Sequence, residues 1–324
     1  MERVGRASRG FVTAWAWGLL AAGGCVVGEV DGDLNLRDVP ATQADETAAS
    51  VEVLDLADDR FGGGWVRRGV WEPMAFIDAG HPGLYLAEPH DPTRTPAILV
   101  HGLGGGPRQF ATLADTLRPR GYQPVFYYYP TSLRLGEVGA HLYESLVRWS
   151  RGHGADRLVV VAHSMGGLVA WEALRRANHG GLDLPAVHLV TLSTPYGGDR
   201  AAGIAVERRP PLLLPVWIDL AEDSAFLRAV YRTPLPEGVT FDLVFGYRRD
   251  PGLVEFGGRS GDGAVTLDRL LHPELQRKAR RVRGVDASHA GLLREPEAID
   301  TVVELLESRP SLTQPALVPE TPNP

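Results

Sequence analysis

The stretch Leu158-Val159-Val160-Val161-Ala162-His163-Ser164-Met165-Gly166-Gly167-Leu168-Val169-Ala170 decides how the rest of the chain is read. A β-branched apolar run ends in a serine, two glycines follow, and Leu168, Val169, Ala170, Trp171, Ala173 and Leu174 suit a buried helix. The pattern predicts a strand, a tight turn and a helix. Such a turn, a nucleophile elbow, strains its serine and presents the hydroxyl at the tip of a sheet, and small neighbours let the helix start at once. Ser164 is then the nucleophile of an acyl transfer, and the N–H of Met165, first in the helix, points to where an oxyanion forms. A plain N-cap serine is the alternative. Ala162 stands where G-x-S-x-G has its first glycine, but alanine is small enough for the turn.

The remaining parts of an acyl-transfer site are sought in loops that follow strands. Pro96-Ala97-Ile98-Leu99-Val100-His101-Gly102-Leu103-Gly104-Gly105-Gly106 is an apolar strand opening into a glycine-rich loop. It lacks the lysine of a phosphate-binding loop and an acidic residue spaced for a dinucleotide ribose. It reads instead as the oxyanion loop, with the N–H of Leu103 as second donor. His101 is read as a structural residue bonding within that loop. Later, Ser260-Gly261-Asp262-Gly263 places an aspartate in a tight turn, and Asp286-Ala287-Ser288-His289-Ala290-Gly291 follows a further strand. Serine, acid and histidine thus occur in the order Ser164, Asp262, His289. His289 takes the serine proton and returns it to the leaving alcohol, while Asp262 fixes the imidazole tautomer. Asp286 is the rival acid, but so near His289 on one loop it is poorly placed to reach the far ring nitrogen. His163 adjoins the nucleophile, and its side chain is expected to leave the elbow in another direction, in a structural role.

From Trp65 to Leu306 the chain resembles bacterial α/β-hydrolase lipases and esterases. The residues that carry the likeness are His101-Gly102-Leu103-Gly104-Gly105, Ala162-His163-Ser164-Met165-Gly166-Gly167, Ser193-Thr194-Pro195, Gly261-Asp262-Gly263 and Ser288-His289-Ala290-Gly291-Leu292. The resemblance implies an α/β-hydrolase fold, a mostly parallel central sheet flanked by helices. It also implies a carboxylic-ester or lipid hydrolase without cofactor or metal, and oxyanion donors at Leu103 and Met165. Tyr196 stands where many relatives carry a histidine after the proline. An acyltransferase would use the same triad with an alcohol acceptor, and a non-catalytic lipoprotein on the same fold is a third possibility.

Strand-helix alternation elsewhere agrees with a parallel sheet whose functional loops lie at the strands' C-terminal ends. It breaks over 196–238, where Pro210, Pro211 and Pro215 interrupt an apolar stretch and a short helix is expected from Asp219 to Tyr231. This segment is read as a cap over the site, with Leu212, Leu213, Leu214 and Trp217 as an apolar wall for an acyl chain. The N-terminus carries Arg3, Arg6 and Arg9, an apolar run from Phe11 to Ala22, then Gly23-Gly24-Cys25. Those are the parts of a secretory signal, too short to span a bilayer. Cys25, the only cysteine in the chain, follows small residues as in the lipobox of bacterial lipoproteins, although Ala22 replaces the usual leucine. The expected organisation is a signal over 1–24, a flexible tether over 25–64, the hydrolase domain over 65–308 and a Pro-rich tail over 309–324. The expected place is the bacterial envelope, lipid-anchored through Cys25. A net charge of −7 without a basic block excludes nucleic acid as a partner.

Overall fold

The computed structural model describes residues 51–154, 157–180, 186–248 and 260–308. The signal, Cys25, most of the tether and the Pro-rich tail lie outside these. Eight strands form one sheet: β1 (Glu52–Val53), β2 (Gly83–Leu86), β3 (Thr95–Val100), β4 (Tyr122–Tyr128), β5 (Arg157–His163), β6 (Ala186–Leu192), β7 (Val239–Gly246) and β8 (Arg281–Val285). Their order is β1-β2-β4-β3-β5-β6-β7-β8, and among the described strands only the β2–β4 pair is antiparallel. The helices are α1 (Gly63–Trp71), α2 (Pro73–Asp78), α3 (Ala111–Leu117), α4 (Leu135–His153), α5 (Met165–Gly180), α6 (Arg200–Arg208), α7 (Pro215–Leu220), α8 (Ala225–Arg232), α9 (Leu267–Leu270), α10 (Pro273–Lys278) and α11 (Pro296–Glu307).

The inner strands read as unbroken apolar runs because both faces of the sheet are covered. Ile98, Val100, Val160 and Ala162 share one apolar cluster with Leu142, Leu146 and Trp149 of α4 and Val169 and Leu174 of α5. Their neighbours Ala97, Leu99, Val159 and Val161 share another with Leu113 and Leu117 of α3 and Ile299, Val302 and Leu306 of α11. The alternation along each strand is that of a pleated backbone, so the two helical layers are set by side-chain direction alone. All the parallel strands then end on one edge, and the loops leaving that edge are the ones that carry Leu103, Ser164, Ser193, Asp262 and His289.

The tether expected over 25–64 gives way to folded chain from residue 51 onward. Glu52–Val53 pairs with Tyr85 and Leu86, and Phe61, 2% exposed, meets the rings of Tyr85 and Tyr128 edge-on at 5.3 and 5.4 Å. Arg108 donates to the carbonyls of Leu56, Ala57 and Asp58. Gly63 and Gly64 open α1 instead of ending a linker. Single anchors such as Phe61 carry no sequence period, which is why the segment read as a tether. The insertion also differs from expectation. Pro215 starts α7 at a position where a missing N–H costs nothing, and Ser224 caps α8 by accepting from Leu227 N–H, so the expected single helix is two.

A buried ionic cluster closes the far half of the sheet. Asp242 on β7 is fully buried and accepts from His188 Nε2 at 2.8 Å and Arg280 Nε at 3.0 Å, with a second bond from Arg280 Nη2. Arg280 Nη1 also donates to Ser308 O at 2.8 Å beyond the end of α11. Burial pushes the Asp242 carboxyl up, but the hydrogen bonds and charges of His188 and Arg280 outweigh it and hold it below the ordinary carboxylate range. A depressed carboxyl contributes stability above its unfolded pKa and loses it as pH falls through the folded one. Arg280→Ala is therefore expected to destabilise by about 3 kcal/mol in urea unfolding at neutral pH, and by less in acid, where Asp242 is protonated. An unchanged urea midpoint at neutral pH contradicts this account of the cluster.

Candidate active site

Ser164 closes β5 at φ 55°, a left-handed value that a residue with a Cβ keeps only where its surroundings impose it. Its N–H donates to Leu192 O at 2.8 Å, carrying the β5–β6 ladder one step past the strand, and its carbonyl accepts from Gly167 N–H at 3.0 Å. A Cβ on Gly166 would stand 2.4 Å from Val100 O and 2.5 Å from His101 O, so α5 can start here only without a side chain. Ala162, at the motif's first position, is fully buried in register with Val100, and its methyl is accommodated.

The glycine-rich loop after β3 lies directly on Ser164. A Cβ on Gly102 would come 2.7 Å from Ser164 Cβ. The loop is closed by Gly105 N–H donating to Gly102 O at 3.1 Å, and Gly104 N–H donates to Thr131 Oγ1 at 3.1 Å. His101 Nδ1 lies 3.0 Å from Gly102 O; a carbonyl only accepts, so Nδ1 carries the proton. Burial pushes the His101 pKa down to about 4, and the neutral ring stacks on Tyr129 at 4.3 Å. His101 thus holds the loop, as the sequence suggested. Among the described residues, the N–H groups of Leu103 and Met165 donate to no protein group.

Asp262 and His289 meet from the loops after β7 and β8. His289 Nδ1 donates to Asp262 Oδ2 at 2.6 Å, and His289 N–H donates to Asp262 O at 2.9 Å. Asp262 Oδ1 accepts from Ala264 N–H at 2.9 Å and Val265 N–H at 2.8 Å. The carboxyl is 0% exposed, and although burial opposes the imidazolium of His289, the Asp262 charge and hydrogen bond raise the histidine above its ordinary pKa. Asp286 points elsewhere: its side chain is 55% exposed and 4.0 Å from Arg248 Nη1. Among the described residues no hydrogen bond joins Ser164 Oγ to His289 Nε2, a contact that tightens only with substrate in many such sites.

His163, beside Ser164, ties the end of β5 to the loop of His289. His163 Nε2 donates to His289 O at 2.9 Å, and the two rings lie 4.7 Å apart. Burial, with the His289 charge adding to it, pushes His163 down to about 3, so it stays a neutral donor. It is structural, as expected, but its contact with the His289 loop was not legible, because nothing local in the sequence brings residue 289 to residue 163.

The sequence model described as the alpha/beta hydrolase family matches residues 97–302. The chain belongs to the α/β-hydrolase family. No curated protein sequence matches it. Among solved structures it is similar to the mature form of the lipase BlEst2 from Bacillus licheniformis, at 20% identity and a TM-score of 0.54, over 69% of this chain and 97% of that one. The propeptide form of the same lipase aligns at 19% identity and a TM-score of 0.55, over 71% of this chain and 54% of that one. The product of gene lin2722 of Listeria innocua aligns at 17% identity and a TM-score of 0.50, over 67% and 96% of the two chains.

In this α/β hydrolase the insertion is fastened to the loop after β4, which also holds the glycine-rich loop through Thr131. Val216 N–H donates to Ser132 O at 2.9 Å, and Asp219 accepts from Leu135 N–H at 2.7 Å and from two nitrogens of Arg134. Of the apolar residues expected to wall an acyl chain, Leu214 is 5% exposed and packs in the cluster of α4 and α5, which corrects its assignment to the site mouth. Leu213 and Trp217 are half-buried and Leu212 is 45% exposed. Among the described residues no group of three or more His, Cys, Asp or Glu side chains is arranged to hold a metal ion.

Proposed function

We propose that this α/β hydrolase cleaves carboxylic esters of acyl or lipid type through Ser164, His289 and Asp262. The observation that carries the reading is the His289–Asp262 hydrogen bond of 2.6 Å, in a loop that His163, next to the strained Ser164, holds through the carbonyl of His289. In the first half-reaction Ser164 Oγ attacks the ester carbonyl and its proton passes to His289 Nε2. Asp262 keeps Nδ1 protonated and stabilises the imidazolium. The tetrahedral oxyanion receives the N–H groups of Leu103 and Met165. Collapse breaks the bond to the alkoxy group, which leaves with the proton from His289, and an acyl-enzyme remains. Water, deprotonated by the same imidazole, repeats the sequence and frees the acid.

The substrate side of the proposal rests on the insertion. Leu212 is exposed, and Leu213 and Trp217, the latter packed against the core on one side, keep part of their apolar surface accessible, so an acyl chain lying against them gains up to ~0.8 kcal/mol per buried methylene. The kcat/KM series for acetyl, butyryl and octanoyl esters is expected to rise with chain length. Trp217→Ala or Leu212→Ala should flatten it, whereas Leu214→Ala should lower stability without changing the slope. A flat or falling wild-type series makes the protein a small-ester esterase and removes the insertion from substrate binding.

A further inference from the structure

Two serines end neighbouring strands in the same unusual conformation. Ser164 follows β5 at φ 55° and Ser193 follows β6 at φ 48°, with His163 and Leu192 in register just before them. Each continues its ladder by one bond: Ser164 N–H to Leu192 O and Ser193 N–H to Val244 O, both 2.8 Å. A left-handed residue with a Cβ carries a steric penalty that glycine avoids, so a serine there needs a reason. For Ser164 the elbow supplies it. For Ser193 the reason lies in its hydroxyl, which is fully buried and accepts from Gly246 N–H at 3.1 Å.

That bond aims Ser193 at the acid. Gly246 ends β7 and packs on Asp262; a Cβ added to it would stand 3.3 Å from Asp262 Cβ. With a lone pair of Ser193 Oγ taken by Gly246, the hydroxyl hydrogen remains for an acceptor, and the carboxylate is at hand. Burial pushes the Asp262 carboxyl up, and the charge and hydrogen bond of His289, with the nearby Ser193 hydroxyl and the Val265 amide, bring it below its ordinary range. Oδ1 already holds two amides and Oδ2 holds His289 Nδ1. A further donor leaves the carboxylate no freedom to turn.

We propose that Ser193 is a positioning residue of the acid–base pair, its hydroxyl fixed by Gly246 and hydrogen-bonded to Asp262 so that Oδ2 stays on His289 Nδ1. The proposal rests on the reading of Asp262 and His289 given above. It assigns a task to the Ser193-Thr194-Pro195 motif, which the hydrolytic mechanism alone leaves without one.

Glycine and threonine at position 193 separate the hydroxyl from the backbone. Ser193→Gly removes the hydroxyl and relieves the left-handed strain but leaves the buried Gly246 N–H without its acceptor, so the two effects oppose and its urea midpoint is expected to stay near that of the wild type, while kcat falls about tenfold to a hundredfold with KM little changed. The acid limb of its kcat/KM profile moves to higher pH, because a carboxylate with one donor fewer holds the imidazolium more strongly. Ser193→Thr, strained but hydroxylated, shows the crossed pattern: lower stability with kcat restored towards wild type. Ser193→Ala repeats the kcat loss without relying on glycine. In an Asp262→Asn background, Ser193→Gly changes kcat no further. Wild-type kcat and an unmoved acid limb in Ser193→Gly, beside a crippled Asp262→Asn, overturn the proposal while leaving the triad intact. Full activity in Asp262→Asn overturns the triad reading itself.

Discussion

Replacing Ser164 by alanine is expected to lower kcat for a hydrolysable ester by on the order of 10⁴- to 10⁶-fold, and His289→Ala to do nearly the same. The double variant is scarcely worse than either single one, because nucleophile and base perform one step together and the second loss removes nothing that still operates. Fold integrity is not the explanation: Ser164 contributes a strained φ 55° and a half-exposed hydroxyl, so alanine there leaves the core as it is. Residual turnover in all three variants is expected from the proposed oxyanion amides of Leu103 and Met165, which need no side chain. Steady-state kinetics on the four proteins, with urea midpoints as controls, measure the effect. Additive losses would mean that Ser164 and His289 act in separate steps.

The second large effect separates the two candidate acids. Asp262→Asn is expected to lower kcat by about 10⁴-fold, since an amide no longer holds the imidazole in the tautomer that accepts from Ser164. It also moves the pH profile in a direction that follows from the site. In the wild type the Asp262 charge outweighs burial and His289 titrates above its ordinary value. The base must be neutral to work, so activity falls as pH drops through that raised value. With asparagine the Asp262 charge no longer opposes burial and only that of Asp199 remains, so His289 titrates lower and the residual activity survives to lower pH. Asp286→Asn, exposed and facing Arg248, should leave both kcat and profile unchanged. The reverse result would exchange the roles of the two aspartates.

What the sequence disclosed was whatever its local order encodes. The elbow was legible because an apolar run, a serine and two glycines are consecutive, and the packing of Gly166 on Val100 and His101 shows the physical need behind the pattern. The pairing of Asp262 with His289 was legible because each sits in a short loop after a strand, and chain order supplied the roles proposed for them. Three features escaped. Phe61 anchors the segment before α1 as a single aromatic in a ring cluster, with no period to announce it. Leu214 looked like a wall residue because proline spacing excludes a strand, but Pro215 starts a helix and turns Leu214 into the core. The contacts of His163 with His289 and of Ser193 with Gly246 join residues far apart in sequence, and only the strand order β5-β6-β7-β8 brings them together.

The central claim is that Ser164 is a nucleophile activated by His289, and covalent labelling tests it without knowledge of the natural ester. A fluorophosphonate takes an activated serine oxygen at phosphorus with loss of fluoride, so intact-mass measurement counts the adducts and peptide mapping locates them. The expected result is one adduct per chain, on the peptide holding Ser164, formed much more slowly in His289→Ala and absent in Ser164→Ala. An adduct on any other residue, or none on the folded wild-type protein, contradicts the claim.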